Sequence, residues 1–353
     1  MASPRWTVRD LGSGSQSGAA WDVDDRGVVV GDATSPDGAS RAVMWVNGRL
    51  RVLRPQGDHA AALDGSGRIV GSLGNSAVLW RDGRLIRLGT LGGAFADLGS
   101  YFYTAVGIDR RGRIFGMVKP EYSNGKSRAF VWEDGKIAGI GGGQSWLGAV
   151  GAAAVVGTLE RDGRVLPFVW KDGRRTDLPL PRGANGGSAA GVNARGEVAG
   201  SATFGVLATP RAVVWRRGKP VVLPLPPGAS QSRADAISDS GDVAGEYTRG
   251  ARFAPVLWRA GRTTTLASRP DCSWRALAIG SDTVVLLQAT CFRVGGGQET
   301  DLAYVWQNGA LVRLPGLGGG TYAAAMNAHT EIVGWAQTRP GGRTRAVAWT
   351  PSR

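Results

Sequence analysis

Apolar residues in this chain come in short runs of four to seven, separated by polar, glycine-rich breaks. The cleanest copy of the pattern is 103–140, YTAVGIDRRGRIFGMVKPEYSNGKSRAFVWEDGKIAGI. It holds a small-residue run, a tight turn (IDRRGR), an apolar run ending in Gly, a polar loop, an apolar run ending in Trp (RAFVW), a second tight turn (EDGK) and a last short run. Runs this short, bounded by Asp, Asn and Gly, predict four strands and two hairpins rather than helices. The unit recurs. The tryptophan closing its third run is Trp45, Trp80, Trp132, Trp170, Trp215, Trp258, Trp306 and Trp349, at spacings of 35, 52, 38, 45, 43, 48 and 43 residues. Four strands at that period define a β-propeller blade, which buries its faces only by stacking on its neighbours.

The turns agree. VNGR, RDGR, EDGK and KDGR follow the tryptophans, and Asn-Gly or Asp-Gly suits the primed turns that match strand twist. Hairpins thus account for most of the 56 glycines. The run 6–11 (WTVRDL) resembles a fourth strand with no first three before it, whereas the last copy stops after three. Pairing of 5–11 with 323–353 would complete the ring and leave no open edge. The expectation is an all-β chain forming one domain over 1–353: a single eight-bladed β-propeller of four-stranded blades, closed by the N-terminal strand. No linker or change of composition argues for two domains.

The pattern A-x-x-(I/V)-(N/D)-x-x-G-x-(I/V)-(V/A)-G, then A-(F/V)-x-W-x-(D/N)-G, then L-x-x-L-G-G (88–93 and 314–319) resembles the HAF repeat family of bacterial propeller-like proteins over nearly the whole chain. The His preceding Ala-Phe in that family is replaced here by Arg41, Arg128, Arg211 or Arg345. The resemblance implies the fold and an extracellular repeat protein. It implies no particular activity, and fold does not settle function.

Strand order places the short hairpin turns on one face. The other face carries the crossovers and the long, unlike loops 32–40, 88–103, 117–127 and 288–301. Varied loops on a rigid frame are where binding residues concentrate. The mouth of the channel on that face is therefore the expected site. Inner-strand positions are mostly small, as at Ala60, Ala189 and Ala323. The exceptions are Trp21, Asp22, His59, Tyr103, Trp146, Arg233, Asp235, Trp274, Arg275 and Tyr322. Aromatic walls with a few polar groups suit a small organic ligand. Packing between blades is the alternative for each aromatic. His59 and Asp235 are the acid–base candidates, with a surface-loop histidine and an Arg233 salt bridge as their plainer readings. Arg128 and its repeat mates either cap blade edges through Asp or carbonyl pairs or give the mouth a positive rim for an anionic ligand.

Two histidines far apart and two cysteines make no zinc site. Gly125-Lys126-Ser127 lacks the upstream glycine of a Walker loop, because position 120 is Pro. No cofactor is expected. Cys272 and Cys291 flank two adjacent strands of one blade, so a disulfide and two free thiols both stay open. The net charge of +14 comes largely from turn arginines and lysines not interleaved with aromatics, which argues against a nucleic-acid platform. No apolar signal segment and no run of about 18 apolar residues are visible. The expectation is a cytoplasmic monomer away from membranes, with secretion as the alternative. The leading function is a small-molecule-binding propeller acting as a cofactor-independent lyase, isomerase, cyclase or hydrolase. The alternative is a non-catalytic surface scaffold for glycan or protein.

Overall fold

The computed structural model describes every residue except 1–4, 13–16, 98–100, 122–125, 142, 268, 281, 293–299 and 353. The lead 1–4 and parts of three long loops therefore lie outside the described residues. The strands form eight four-stranded antiparallel sheets. In chain order the blades span 18–52, 59–87, 101–139, 145–177, 184–222, 232–265, 272–313, and 321–351 together with 6–10. The chain is an eight-bladed β-propeller. Its last blade has the order expected of a shared one: strand Trp6–Asp10 pairs with Thr344–Pro351, from Trp6 opposite Pro351 to Asp10 opposite Val347.

The hairpin turns follow their residues. Asn47-Gly48, Asp82-Gly83, Asp134-Gly135 and Asp172-Gly173 all hold positive φ at both positions, the primed geometry. At the other hairpin an Asp or Asn caps the turn. Asp109 Oδ1 accepts the backbone N–H of Arg111 and of Arg113, and Asn193 Oδ1 accepts those of Arg195 and Glu197.

The core lies between blades. Val70 and Leu79 of blade two, for example, pack with Tyr103, Ile114 and Phe130 of blade three. The recurrent tryptophan fastens five of these seams. Trp45, Trp80, Trp215, Trp258 and Trp349 donate their indole N–H, at 2.7–2.8 Å, to the carbonyls of Gly12, Pro55, Pro179, Pro224 and Pro315. Each acceptor lies just after the outer strand of the preceding blade.

One irregularity repeats in all eight blades. The inner strand carries a β-bulge against the second strand, and the extra residues are Trp21, Ala61, Val106, Gly148, Ala190, Asp235, Leu277 and Ala324. The bulge presses a carbonyl onto the second strand. A Cβ at Gly245 would sit 2.0 Å from the carbonyl oxygen of Arg233, and one at Gly334 2.0 Å from that of Tyr322. At those positions only glycine fits, which explains the Gly closing the second run in seven blades; blade seven carries Leu287 there.

Candidate functional site

Register assigns the candidates to levels of the channel. Two residues before each bulge, toward the loop-rich face, stand Ala19, His59, Thr104, Trp146, Ser188, Arg233, Arg275 and Tyr322. Their partners on the second strands are Asp32, Ser72, Met117, Thr158, Ser201, Glu246, Gln288 and Trp335. His59, Trp146, Arg233, Arg275 and Tyr322 thus occupy one equivalent level. At and below the bulges a cavity of about 570 Å³ opens, lined by Trp21, Asp22, Ala61, Val106, Gly148 and Ala324 among others.

Tyr103 and Trp274 fall one position earlier, so strand alternation turns them away from this level. Tyr103 is 1% exposed and Trp274 2%. The Tyr103 hydroxyl donates to Phe95 O at 2.6 Å and accepts from Leu91 N at 2.9 Å, fastening the crossover. Trp274 packs on Tyr304, ring centroids 4.9 Å apart. Both are blade-packing residues and not mouth residues. Arg128 is also engaged elsewhere, with its guanidinium 4.5 Å over the Phe95 ring. Trp146 is half-buried against the core of blades three and four. Tyr322 stacks on Trp335, centroids 5.4 Å apart and planes 6° from parallel.

The titratable candidates separate into two clusters. In blade one, Asp22 accepts the Leu63 and Val23 backbone N–H groups at 3.0 and 2.9 Å, tying blade one to blade two. Loss of water around this carboxyl pushes its pKa up to about 6 against those two bonds. In the same blade, Asp32 Oδ1 accepts the Trp21 indole N–H and lies 2.8 Å from His59 Nδ1. Trp21 meets the imidazole edge-on at 5.6 Å.

The second cluster lies in blades six and seven. Asp235 is half-buried, and its Oδ2 is shut off from solvent with no hydrogen-bond partner. Desolvation and the neighbouring Glu246 carboxylate push it up to about 8, against the opposing charges of Arg275 and Arg233. Glu246 is raised too, again by burial, with the same two arginines resisting. The guanidinium of Arg233 makes no ion pair or hydrogen bond among the described residues, nor does that of Arg275. The salt bridge expected between Arg233 and Asp235 is thus replaced by a longer-range charge interaction. Both arginines are exposed. His59 and Asp235 lie in blades two and six of eight, so the channel separates them.

Sequence reading missed Asp32, Glu246 and Trp335. Each directly follows the glycine of the second run or stands at its equivalent, where blades two, four and five carry Ser72, Thr158 and Ser201. An acid or an indole in place of those hydroxyl residues was the available signal. Cys272 and Cys291 are cross-strand partners on the loop-rich side of blade seven, Cα atoms 4.0 Å apart, and form a disulfide. Two arginines on the short-turn face join neighbouring turns. Arg216 contacts Glu197 at 3.5 Å and donates to Gly241 O at 2.9 Å, and Arg259 contacts Asp242 at 3.2 Å. Among the described residues no group of three His, Cys, Asp or Glu is placed to hold a metal ion.

These features define a closed β-propeller with two clusters of ionisable residues on opposite walls of its channel. Neither a protein-family model nor a curated protein matches the sequence. Solved structures match the fold. The acylaminoacyl peptidase of Pyrococcus horikoshii gives a TM-score of 0.51 at 9% identity, over 92% of this chain and 58% of that one. A puromycin-hydrolyzing peptidase of Mycobacterium tuberculosis gives 0.52 at 11%, again over 92% and 58%. The β-propeller domain of the trilobed protease from Pyrococcus furiosus, described as an open velcro, gives 0.50 at 10%, over 96% and 97%. The chain spans little more than half of either peptidase, and at these identities the likeness shows the fold alone.

Proposed function

We propose that this propeller binds a small organic acid at the loop-rich mouth of its channel and acts on it by acid–base chemistry without a cofactor, as a monomer. The observation that carries the reading is Asp235. Its Oδ2 is buried without a partner, and its pKa is pushed up to about 8. At neutral pH it is a carboxylic acid, a proton donor in a place where most aspartates are only acceptors. Arg233 and Arg275, exposed and free of ion pairs among the described residues, flank it electrostatically and suit a carboxylate bound through their planar forks. Tyr322 on Trp335 offers an aromatic wall at the same level. The reaction classes this supports are lyase, isomerase, cyclase and hydrolase chemistry driven by proton transfer and positioning.

The test is a thermal-shift screen of small organic acids against their neutral analogues, followed by calorimetry on the hits. Acids should bind and the neutral analogues should not. Arg233→Ala or Arg275→Ala should weaken binding about tenfold, the equivalent of about 1.4 kcal/mol. Asp235→Asn should keep binding and lose turnover. Binding indifferent to both arginines would remove this reading.

One observation favours a second reading. The Cys272–Cys291 disulfide suits an oxidising compartment. That fits a secreted scaffold for glycan or protein, as the HAF resemblance implies. Alkylation of the protein in its native cells before lysis decides the compartment. A fully alkylated pair would place it in a reducing one.

A further inference from the structure

The channel wall opposite Asp235 holds a separate titratable group whose hydrogen bonding determines where its proton sits. Two side chains converge on Asp32 Oδ1: the Trp21 indole nitrogen and His59 Nδ1, the latter at 2.8 Å. An indole N–H can only donate, so Asp32 Oδ1 acts there as an acceptor. An oxygen receiving two nitrogens is behaving as an ionised carboxylate, which has no hydrogen to give. The hydrogen between His59 and Asp32 therefore belongs to Nδ1. That fixes the neutral imidazole as the Nδ1–H tautomer and leaves the lone pair on Nε2. Nε2 meets no hydrogen-bond partner among the described residues, and the His59 side chain is 31% exposed. The ring is braced edge-on by Trp21, which itself lines the channel cavity.

We infer that His59 is a proton acceptor of the channel, its Nε2 offered to a water or hydroxyl group held there, with Asp32 as its positioning residue. The step is proton transfer alone. The O–H bond breaks, an Nε2–H bond forms, and the electron pair stays on oxygen. Asp32 balances the imidazolium that results. The ligand class this adds is a molecule that bears a hydroxyl, or one attacked by a held water. The inference does not require the organic-acid site, because His59 is in blade two and Asp235 in blade six.

The chain has only two histidines, and His329 lies exposed in a short turn of the opposite face. A long-range proton–nitrogen correlation spectrum of the full chain, assigned with His329→Gln, therefore reads the tautomer directly and needs no substrate. His59 in its neutral form should show a protonated Nδ1 and a bare Nε2, unlike His329. Diethyl pyrocarbonate should acylate His59 at Nε2. Asp32→Val should return the ring to the mixed pattern of a free histidine and slow that acylation several-fold. Asp32→Asn, which keeps an acceptor, should preserve the Nδ1–H form. An Nε2–H tautomer in the wild-type chain, or a His59 inert to the reagent while His329 reacts, would overturn the inference. The wild-type spectrum decides even if Asp32→Val fails to fold. Loss of organic-acid binding in the screen above would leave this result untouched.

Discussion

At Asp235 the proton and the fold are linked. The carboxyl is raised from an ordinary 3.8 to about 8 by burial and by Glu246. Between those values the folded chain holds a proton that the unfolded chain has released. Folding therefore takes up a proton, and stability falls as pH rises through that window, flattening above about 8. Below about 4 both states are protonated and the contribution is flat again. Asp22, raised to about 6, and Glu246, also raised, tilt stability the same way. Asp64 and Glu197, held low mainly by hydrogen bonds that outweigh their burial, tilt it the other way. Comparing variant with wild type isolates one group. Asp235→Asn should melt close to wild type near about pH 4 and increasingly above it toward about pH 8, because the amide cannot ionise. Melting curves at the two pH values measure this. Parallel shifts in both proteins would mean that Asp235 is already ionised when folded.

At the scale of the strand, the recurrent tryptophan has two tasks, and one substitution separates them. Trp215 is buried between blades and donates to Pro179 O at 2.8 Å. Trp215→Phe keeps most of the apolar contact and leaves that carbonyl without its donor, a loss of about 1–3 kcal/mol. Urea unfolding should show a lower midpoint with an unchanged slope. A change in slope would instead mean a looser native or denatured state. The same strands show what was legible in the sequence. Tryptophan, Asp-Gly turns and the closing glycine mark blade and hairpin because each answers to a local constraint: a carbonyl to bond, a positive φ, a carbonyl pressing on a Cα. The site was only half legible. A one-residue step along an inner strand exchanges channel for core, so Tyr103 and Trp274 looked like neighbours of Thr104 and Arg275 yet face the packing. The bulge that brings Trp21 and Asp235 to the channel appears only once the second strand is paired. Asp32 and Glu246 gain meaning from their cross-strand partners, which no local pattern announces.

Across the whole molecule the ring holds the channel's shape, and one strand holds the ring. Trp6–Asp10 is the outer strand of blade eight, and two further contacts carry the closure past it. Leu11 N donates to Ala346 O at 2.9 Å, and Gly12 O accepts the indole of Trp45 in blade one at 2.8 Å. Trp6 is buried in the seam between blades seven and eight. Deleting residues 1–12 therefore does three things at once. It strips the pairing partner from Thr344–Pro351, uncovers apolar surface under Trp6, and orphans Trp45. The bared edge would present unpaired backbone groups to a second chain. The truncated protein should melt well below the full chain and form concentration-dependent oligomers in light scattering. A synthetic peptide of residues 5–12 should restore both properties by refilling the vacant edge. A truncated chain that stays monomeric with an unchanged melt would mean that blade eight is held by its neighbours, and that the termini only decorate a ring already closed. The two clusters in the channel depend on the answer, because the inner strand of blade eight packs against those of blades one and seven.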